Sequence, residues 1–201
     1  MTAALHDSVA SPGPASAPVD VRLRDYAALL AQWTRRINLI SRGDEGQIWE
    51  RHVQDSLRLL PLIPRGTRRG IDLGSGAGLP GMVLAIASGV HFDLVEADRR
   101  KAAFLGEAQR LTGAPASVHP ERIEAVRLQP ASLVTARALA PLPTLLEYVA
   151  PLLAEGGVGL FPKGAKAEAE IEVARRSWRF EVALAGSRES PILVVSGLAR
   201  G

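Results

Sequence analysis

The sequence predicts an α/β protein: a doubly wound, mostly parallel sheet preceded by a helical cap. Three observations carry this. Short apolar runs suited to buried strands alternate with helical stretches from about residue 70 onward, the pattern of a parallel sheet covered on both faces. One of these runs, GIDLGSGAGLPG (Gly70 to Gly81), passes from a strand through three glycines at alternate positions into a proline-led apolar helix. Two amphipathic stretches stand before the first strand.

Taken in order, residues 1–18 are rich in Ala, Ser and Pro without periodicity and are expected to form a disordered tail. Residues 19–201 are expected to form one domain, with a helical cap over 19–64 and an α/β core over 65–201. Leu23, Ala27, Leu30, Trp33 and Ile37 recur at spacings of three and four, which marks an amphipathic helix. Asp44 with Gln47 can form a capping box for a second helix, with Ile48, Val53, Leu57 and Leu60 as its apolar stripe and Pro61 and Pro64 ending it. Strands follow at Gly70–Leu73, Phe92–Glu96, Ala116–His119, Leu133–Ala136 and Val158–Phe161. Helices are expected between them at 80–88, 99–111, 121–127 and 142–153. Asp98 suits the N-cap of the second of these, and Gly113 its end. After Lys163 an alternating-charge helix (Ala165 to Arg176) leads to strands near Phe180–Ala185 and Ile192–Ser196. With no helix between them, those two should pair antiparallel at the sheet edge.

Composition removes several function classes. The 201 residues include no cysteine, so disulfides, thiolate nucleophiles, zinc-thiolate sites and iron–sulfur clusters are excluded. No metal site is expected. No apolar run approaches the ~20 residues that span a bilayer, and the first residues lack the basic start and apolar stretch of a secretory signal. A cytoplasmic, monomeric protein is expected. The net charge is only +3, but arginine supplies most of the positive charge, and arginine suits bidentate phosphate contacts and base stacking. Arg35, Arg36 and Arg42 form one cluster, Arg65, Arg68 and Arg69 another, and Arg99, Arg100 and Lys101 a third. Any single cluster reads more readily as a solvated face; three in a short chain point toward nucleic acid.

Gly74, Gly76 and Gly78 permit positive φ and close backbone approach, so amides of the turn and the first helical turn can face a ligand. A dinucleotide fingerprint would place its third glycine at position 79, where Leu79 stands, so the spacing argues against NAD and FAD. About twenty residues further on, the strand FDLVE ends in Glu96, where doubly wound folds place an acid for ribose hydroxyls. Loop and acid together predict a nucleoside-containing cofactor, S-adenosylmethionine, and with it the Rossmann-like class I fold of methyltransferases that use it. The bland alternatives are a plain tight turn and a solvated strand-end charge.

In such sheets ligands sit outside the carboxyl ends of the strands, which makes Glu96, Ile123, Glu124, Arg137 and Lys163 the candidates. Methyl transfer from a sulfonium has a good leaving group, so positioning and electrostatics can carry it. Carbon-5 of a pyrimidine would need a nucleophile such as cysteine, and exocyclic amines commonly meet an acid- or asparagine-led Pro-Pro-aromatic loop. Here the corresponding stretch is ARALAPLP (Ala136 to Pro143). A ring nitrogen with a free lone pair, such as guanine N7, needs neither device. Arg137 should emerge at the cofactor edge, the alternative being a salt bridge to Glu96 or Glu124. His52 and Asp55, three apart on a helix, read as a local pair.

The chain resembles the bacterial 16S rRNA guanine-N7 methyltransferase G family, once called glucose-inhibited division protein B. The resemblance runs from about Val21 to Leu198 through RRINLIS, RHVQDSL, DLGSGAGLPG, ERIEA, TARALAPL and FPKG, of which LPG after the glycines and HxxDS upstream are the most specific. It implies cofactor contacts at Gly74, Leu79, Glu96, the backbone near Ile123–Glu124, and Arg137. It implies RNA-facing roles for Asn38, His52, Arg100, Lys101 and Lys163. The implied target is N7 of a guanosine in the decoding-region loop of 16S rRNA, free or in the small ribosomal subunit. The chain departs from the family pattern in having Glu96 for an Asp, a longer tail, and Ser196 where a basic residue is frequent. Two rival readings are a methyltransferase for a small molecule or protein, and a non-catalytic ribosome-assembly factor.

Overall fold

The computed structural model describes residues 14–201, and the expected tail over 1–13 lies outside them. Its last part is corrected: Pro14–Ser16 form a 3-10 turn. A Cβ at Gly113 would lie 2.5 Å from the Ala15 nitrogen, so this turn packs against the core.

The first helix, α1 (Val19–Thr34), buries Leu23, Tyr26, Leu29 and Leu30. The second expected helix is broken. A 3-10 stretch (Arg42–Gln47), a π turn (Trp49–Gln54), the short α2 (Asp55–Leu57) and another 3-10 turn (Leu60–Leu62) take its place. Gly43 and Gly46 weaken regular helix here. The capping box does not form: Asp44 instead accepts from the Ser41 hydroxyl at 2.8 Å and faces Arg51 at 3.2 Å.

Seven strands form one sheet: β1 (Arg69–Leu73), β2 (His91–Val95), β3 (Ala116–His119), β4 (Ala131–Ala136), β5 (Leu153–Pro162), β6 (Trp178–Gly186) and β7 (Pro191–Arg200). Their spatial order is 3-2-1-4-5-7-6. The first five are parallel, while β7 runs antiparallel to both β5 and β6. The doubly wound, mostly parallel class is thus observed, with the late strand β7 inserted inside β6. The remaining helices are α3 (Gly81–Ser88), α4 (Arg99–Thr112), α5 (Leu142–Val149) and α6 (Ala167–Ala174). Asp98 caps α4 through the amides of Arg100 and Lys101, and Gly113 ends it in the left-handed region.

The expected helix at 121–127 is absent. The segment makes one turn, in which the amides of Ala125 and Val126 both donate to the Arg122 carbonyl. Val126 is the only residue of 121–127 that is buried, so the segment has no apolar stripe to dock.

Each sheet face carries its own apolar cluster. One gathers Tyr26 and Leu30 of α1, Met82 of α3 and Phe104 of α4 against Phe92 and Leu94. The other packs Leu145, Leu146 and Ile171 against Ile71, Val134 and Phe161. Strand order reverses between β1 and β4, and the crevice outside their carboxyl ends is where such sheets bind ligands.

Candidate active site

After β1 the chain turns through Gly74, Gly76 and Gly78, all at positive φ (62°, 55° and 83°). The three do different things. A Cβ at Gly74 would lie 2.6 Å from Leu139 Cδ1, and one at Gly78 would lie 2.7 Å from Met82 Cβ. At Gly76 the nearest atom is the Gly74 carbonyl oxygen at 3.8 Å, so a side chain there would project into open space. Gly74 and Gly76 line a cleft of about 390 Å³, together with Glu96, Lys101, Ile123, Glu124 and Arg137. Gly78 and Leu79 are not among its lining residues; Gly78 lets α3 and α4 approach, and Leu79 is buried in the core.

Glu96 follows β2 and is buried. Its Oε2 accepts from the Gly76 amide at 2.7 Å and its Oε1 from the Asp98 amide at 2.8 Å. This carboxylate therefore ties the glycine loop to the start of α4 while lining the cleft, which sets aside its reading as a solvated strand-end charge. The remaining lone pairs can accept from ribose hydroxyls. An empty space at Gly76, a fixed acceptor at Glu96 and a volume within the range of small-molecule sites fit S-adenosylmethionine.

Arg137, just past β4, pairs with neither Glu96 nor Glu124. Its guanidinium lies 3.6 Å from Asp55 Oδ2 and 3.4 Å from His52 Nδ1. The side chains of His52 and Asp55 therefore meet Arg137 and not each other, correcting their reading as a local pair. Asp55 also binds Arg58 at 2.7 Å, and Arg58 reaches the Ser190 carbonyl at 2.6 Å. His52 is buried, and that burial, with the Arg137 charge, lowers its pKa below the ordinary imidazole value. On its other side His52 Nε2 lies 3.5 Å from Asp44 Oδ2, whose charge acts in the opposite direction.

Past Arg137 the chain crosses Ala138, a non-glycine residue at φ 53°. Such a conformation is uncommon and strained, and it concentrates at functional sites. Arg137 to Ala140 also line a second cleft of about 540 Å³, whose other walls include Asp55, Lys163 and Glu170. Lys163 does not extend into solvent; it donates to the Ala140 carbonyl at 2.9 Å and to Glu170 Oε2 at 2.8 Å.

Asn38 is exposed in the segment after α1, and Arg100 is exposed on the first turn of α4. Lys101, one residue on, lines the first cleft instead.

Two residues of this region were not singled out from the sequence. Asp72 on β1 is buried, with Oδ1 accepting from the Thr135 hydroxyl and Oδ2 without a partner among the described residues. Burial pushes its pKa up to about 6, against the lowering by Thr135. Tyr26 of α1 donates its hydroxyl to the Ala77 carbonyl inside the glycine loop. The D in DLG could have flagged Asp72; nothing in the sequence flagged Tyr26, because its partner is a backbone atom distant in the chain.

Both the fold and the sequence have counterparts among known proteins. Among solved structures, a ribosomal protein L11 methylase from Lactobacillus delbrueckii subsp. bulgaricus superposes with a TM-score of 0.61 at 17% identity, covering 72% of this chain and 77% of that one. The N-methyltransferase NodS from Bradyrhizobium japonicum WM9, in complex with S-adenosyl-L-homocysteine, gives 0.54 at 16% identity, covering 85% and 97%. These likenesses show the fold. A curated relative from Acidiphilium cryptum (strain JF-5), ribosomal RNA small subunit methyltransferase G, is 56% identical over 78% of this chain and 74% of its own length. The protein of that name from Gluconobacter oxydans (strain 621H) is 49% identical over 89% and 94%. The family model described as rRNA small subunit methyltransferase G matches residues 20–189, and the chain belongs to that family.

Proposed function

We propose that the protein transfers a methyl group from S-adenosylmethionine to N7 of a guanosine in the decoding-region loop of 16S rRNA. It acts in the cytoplasm, as a monomer, on the rRNA or the small ribosomal subunit. One observation carries the reading: the residue presented between the two clefts after β4 is Arg137, already paired with Asp55 and beside His52. No proton-accepting carboxylate leads that segment.

The bound cofactor supplies an electrophilic methyl group whose leaving group is a neutral thioether. Guanine N7 carries no proton, so its lone pair forms the new bond without a base, and the purine takes up the positive charge. The chain's own residues have positioning work to do. Glu96 holds the glycine loop, and Ile123 and Glu124 line the same cleft. Asp55 and His52 fix the Arg137 guanidinium at the boundary. Asn38, Arg100 and Lys101 supply contacts to RNA, where phosphate neutralisation provides much of the affinity.

The test is transfer of labelled methyl from S-adenosylmethionine to small subunits and to naked 16S rRNA, both lacking the modification, with reverse-transcription mapping of N7-methylguanosine. A single signal in the decoding-region loop is expected. Absence of transfer to either substrate, with cofactor binding confirmed, would overturn the reading in favour of a small-molecule methyltransferase or an assembly factor.

A further inference from the structure

We infer that the second cleft receives the target guanine and that Glu170 reads its Watson–Crick edge; this rests on the guanosine assignment above. Displacement at a methyl group is in line, so the acceptor has to enter from a space adjoining the cofactor cleft. The second cleft qualifies, because Arg137 to Ala140 are shared by both. Two carboxylates line it. Asp55 has both oxygens occupied, Oδ1 by Arg58 and Oδ2 by Arg137. Glu170, on the first turn of α6, uses Oε2 for Lys163 at 2.8 Å and for the Leu142 amide at 2.7 Å. Its Oε1 makes no hydrogen bond or ion pair with any described residue.

The carboxylate is thus anchored by one oxygen and open at the other. Lys163 and the start of α5 hold it, and Lys163 in turn holds the Ala140 carbonyl of the shared wall. An open carboxylate oxygen accepts and cannot donate. Guanine offers adjacent donors, N1–H and the 2-amino group, on the edge opposite N7; adenine offers an acceptor at N1 and no 2-amino group. Glu170 therefore selects guanine and presents its N7 away from α6, toward the shared wall. When N7 takes the methyl group the ring becomes cationic and its N1–H more acidic, so the same hydrogen bond strengthens in the transition state. An interaction of that kind raises the rate as well as the selectivity.

The experiment uses small subunits reconstituted with 16S rRNA carrying guanosine, adenosine or 7-deazaguanosine at the position mapped with the unmodified enzyme. In Glu170→Gln the amide oxygen can keep the bonds to Lys163 and Leu142, leaving a donor to face the purine. The expected result is a fall of about 10- to 100-fold in transfer to guanosine, the size of one hydrogen bond to a charged group. The guanosine-to-adenosine rate ratio should shrink at least tenfold, with cofactor affinity by calorimetry unchanged. Glu170→Asp, which retracts the oxygen, gives the same change of ratio and serves if the amide variant unfolds. An unchanged ratio in a folded variant would overturn the assignment, as would equal transfer to guanosine and adenosine by the unmodified enzyme. Methylation of 7-deazaguanosine would instead overturn the N7 reading, so the two failures are distinguishable.

Discussion

At position 76 a side chain would point into the first cleft, whereas at 74 and 78 it would strike Leu139 or Met82. Gly76→Val is therefore expected to abolish S-adenosylmethionine binding in a calorimetric titration, and unchanged affinity would remove the loop from the site. The sequence displayed three equivalent glycines; it could not display their division of labour, which depends on residues far along the chain. Glu96 and Arg137 were legible because each ends a recognisable strand. Asp72, the D of DLG, was visible too, but not its perturbed titration, which comes from burial within the sheet. Its folded pKa of about 6 lies above the 3.8 of an ordinary aspartate. The folded state then binds the proton more tightly, and stability falls as pH rises through that window and stays lower above it. The shift corresponds to about 3 kcal/mol. Asp72→Asn should accordingly be more stable than the unmodified protein at pH 7, by about 1–3 kcal/mol. The gap should close toward pH 4 in urea unfolding, and a gap independent of pH would show that Asp72 is not the titrating group.

At the scale of elements, α1 is fastened to the core by a side chain as well as by its apolar face. Arg22 is buried, and its guanidinium donates to the carbonyls of Thr112 at 2.7 Å and Gly113 at 3.1 Å, at the end of α4. A cation at a helix C-terminus satisfies carbonyls that the helix leaves open. Arg22→Leu is expected to lower stability by about 2 kcal/mol, read from the urea midpoint; a midpoint unchanged would mean that water replaces the bonds without loss. Regular periodicity made α1, α3 and α4 readable in advance. It failed at the π turn over Trp49–Gln54, where the backbone leaves the α-helical repeat, and over 121–127, where a single buried residue makes no apolar stripe. The π turn leads into α2 with His52 and Asp55 both directed at Arg137, a placement no residue pattern announces.

For the whole molecule, alternation of strands and helices was enough to give the sheet and its ligand-binding edge. The insertion of β7 between β5 and β6 was not, because antiparallel pairing at an edge leaves the order of the last two strands open. Charge also acts at this scale. Arg100 is exposed and outside the first cleft, whereas its neighbour Lys101 lines it. Arg100→Ala alone should weaken binding to the small subunit and reduce the slope of log affinity against log salt by about 1, with cofactor affinity intact. An unchanged slope would place Arg100 off the RNA-binding face.

The strained segment at Ala138 has a consequence beyond geometry. Four residues serve as wall to both clefts, so whatever one occupant does to their position is felt by the other. Thermodynamic reciprocity then requires that each ligand change the other's affinity by the same factor. A titration into either cleft is in this way also a measurement of its neighbour.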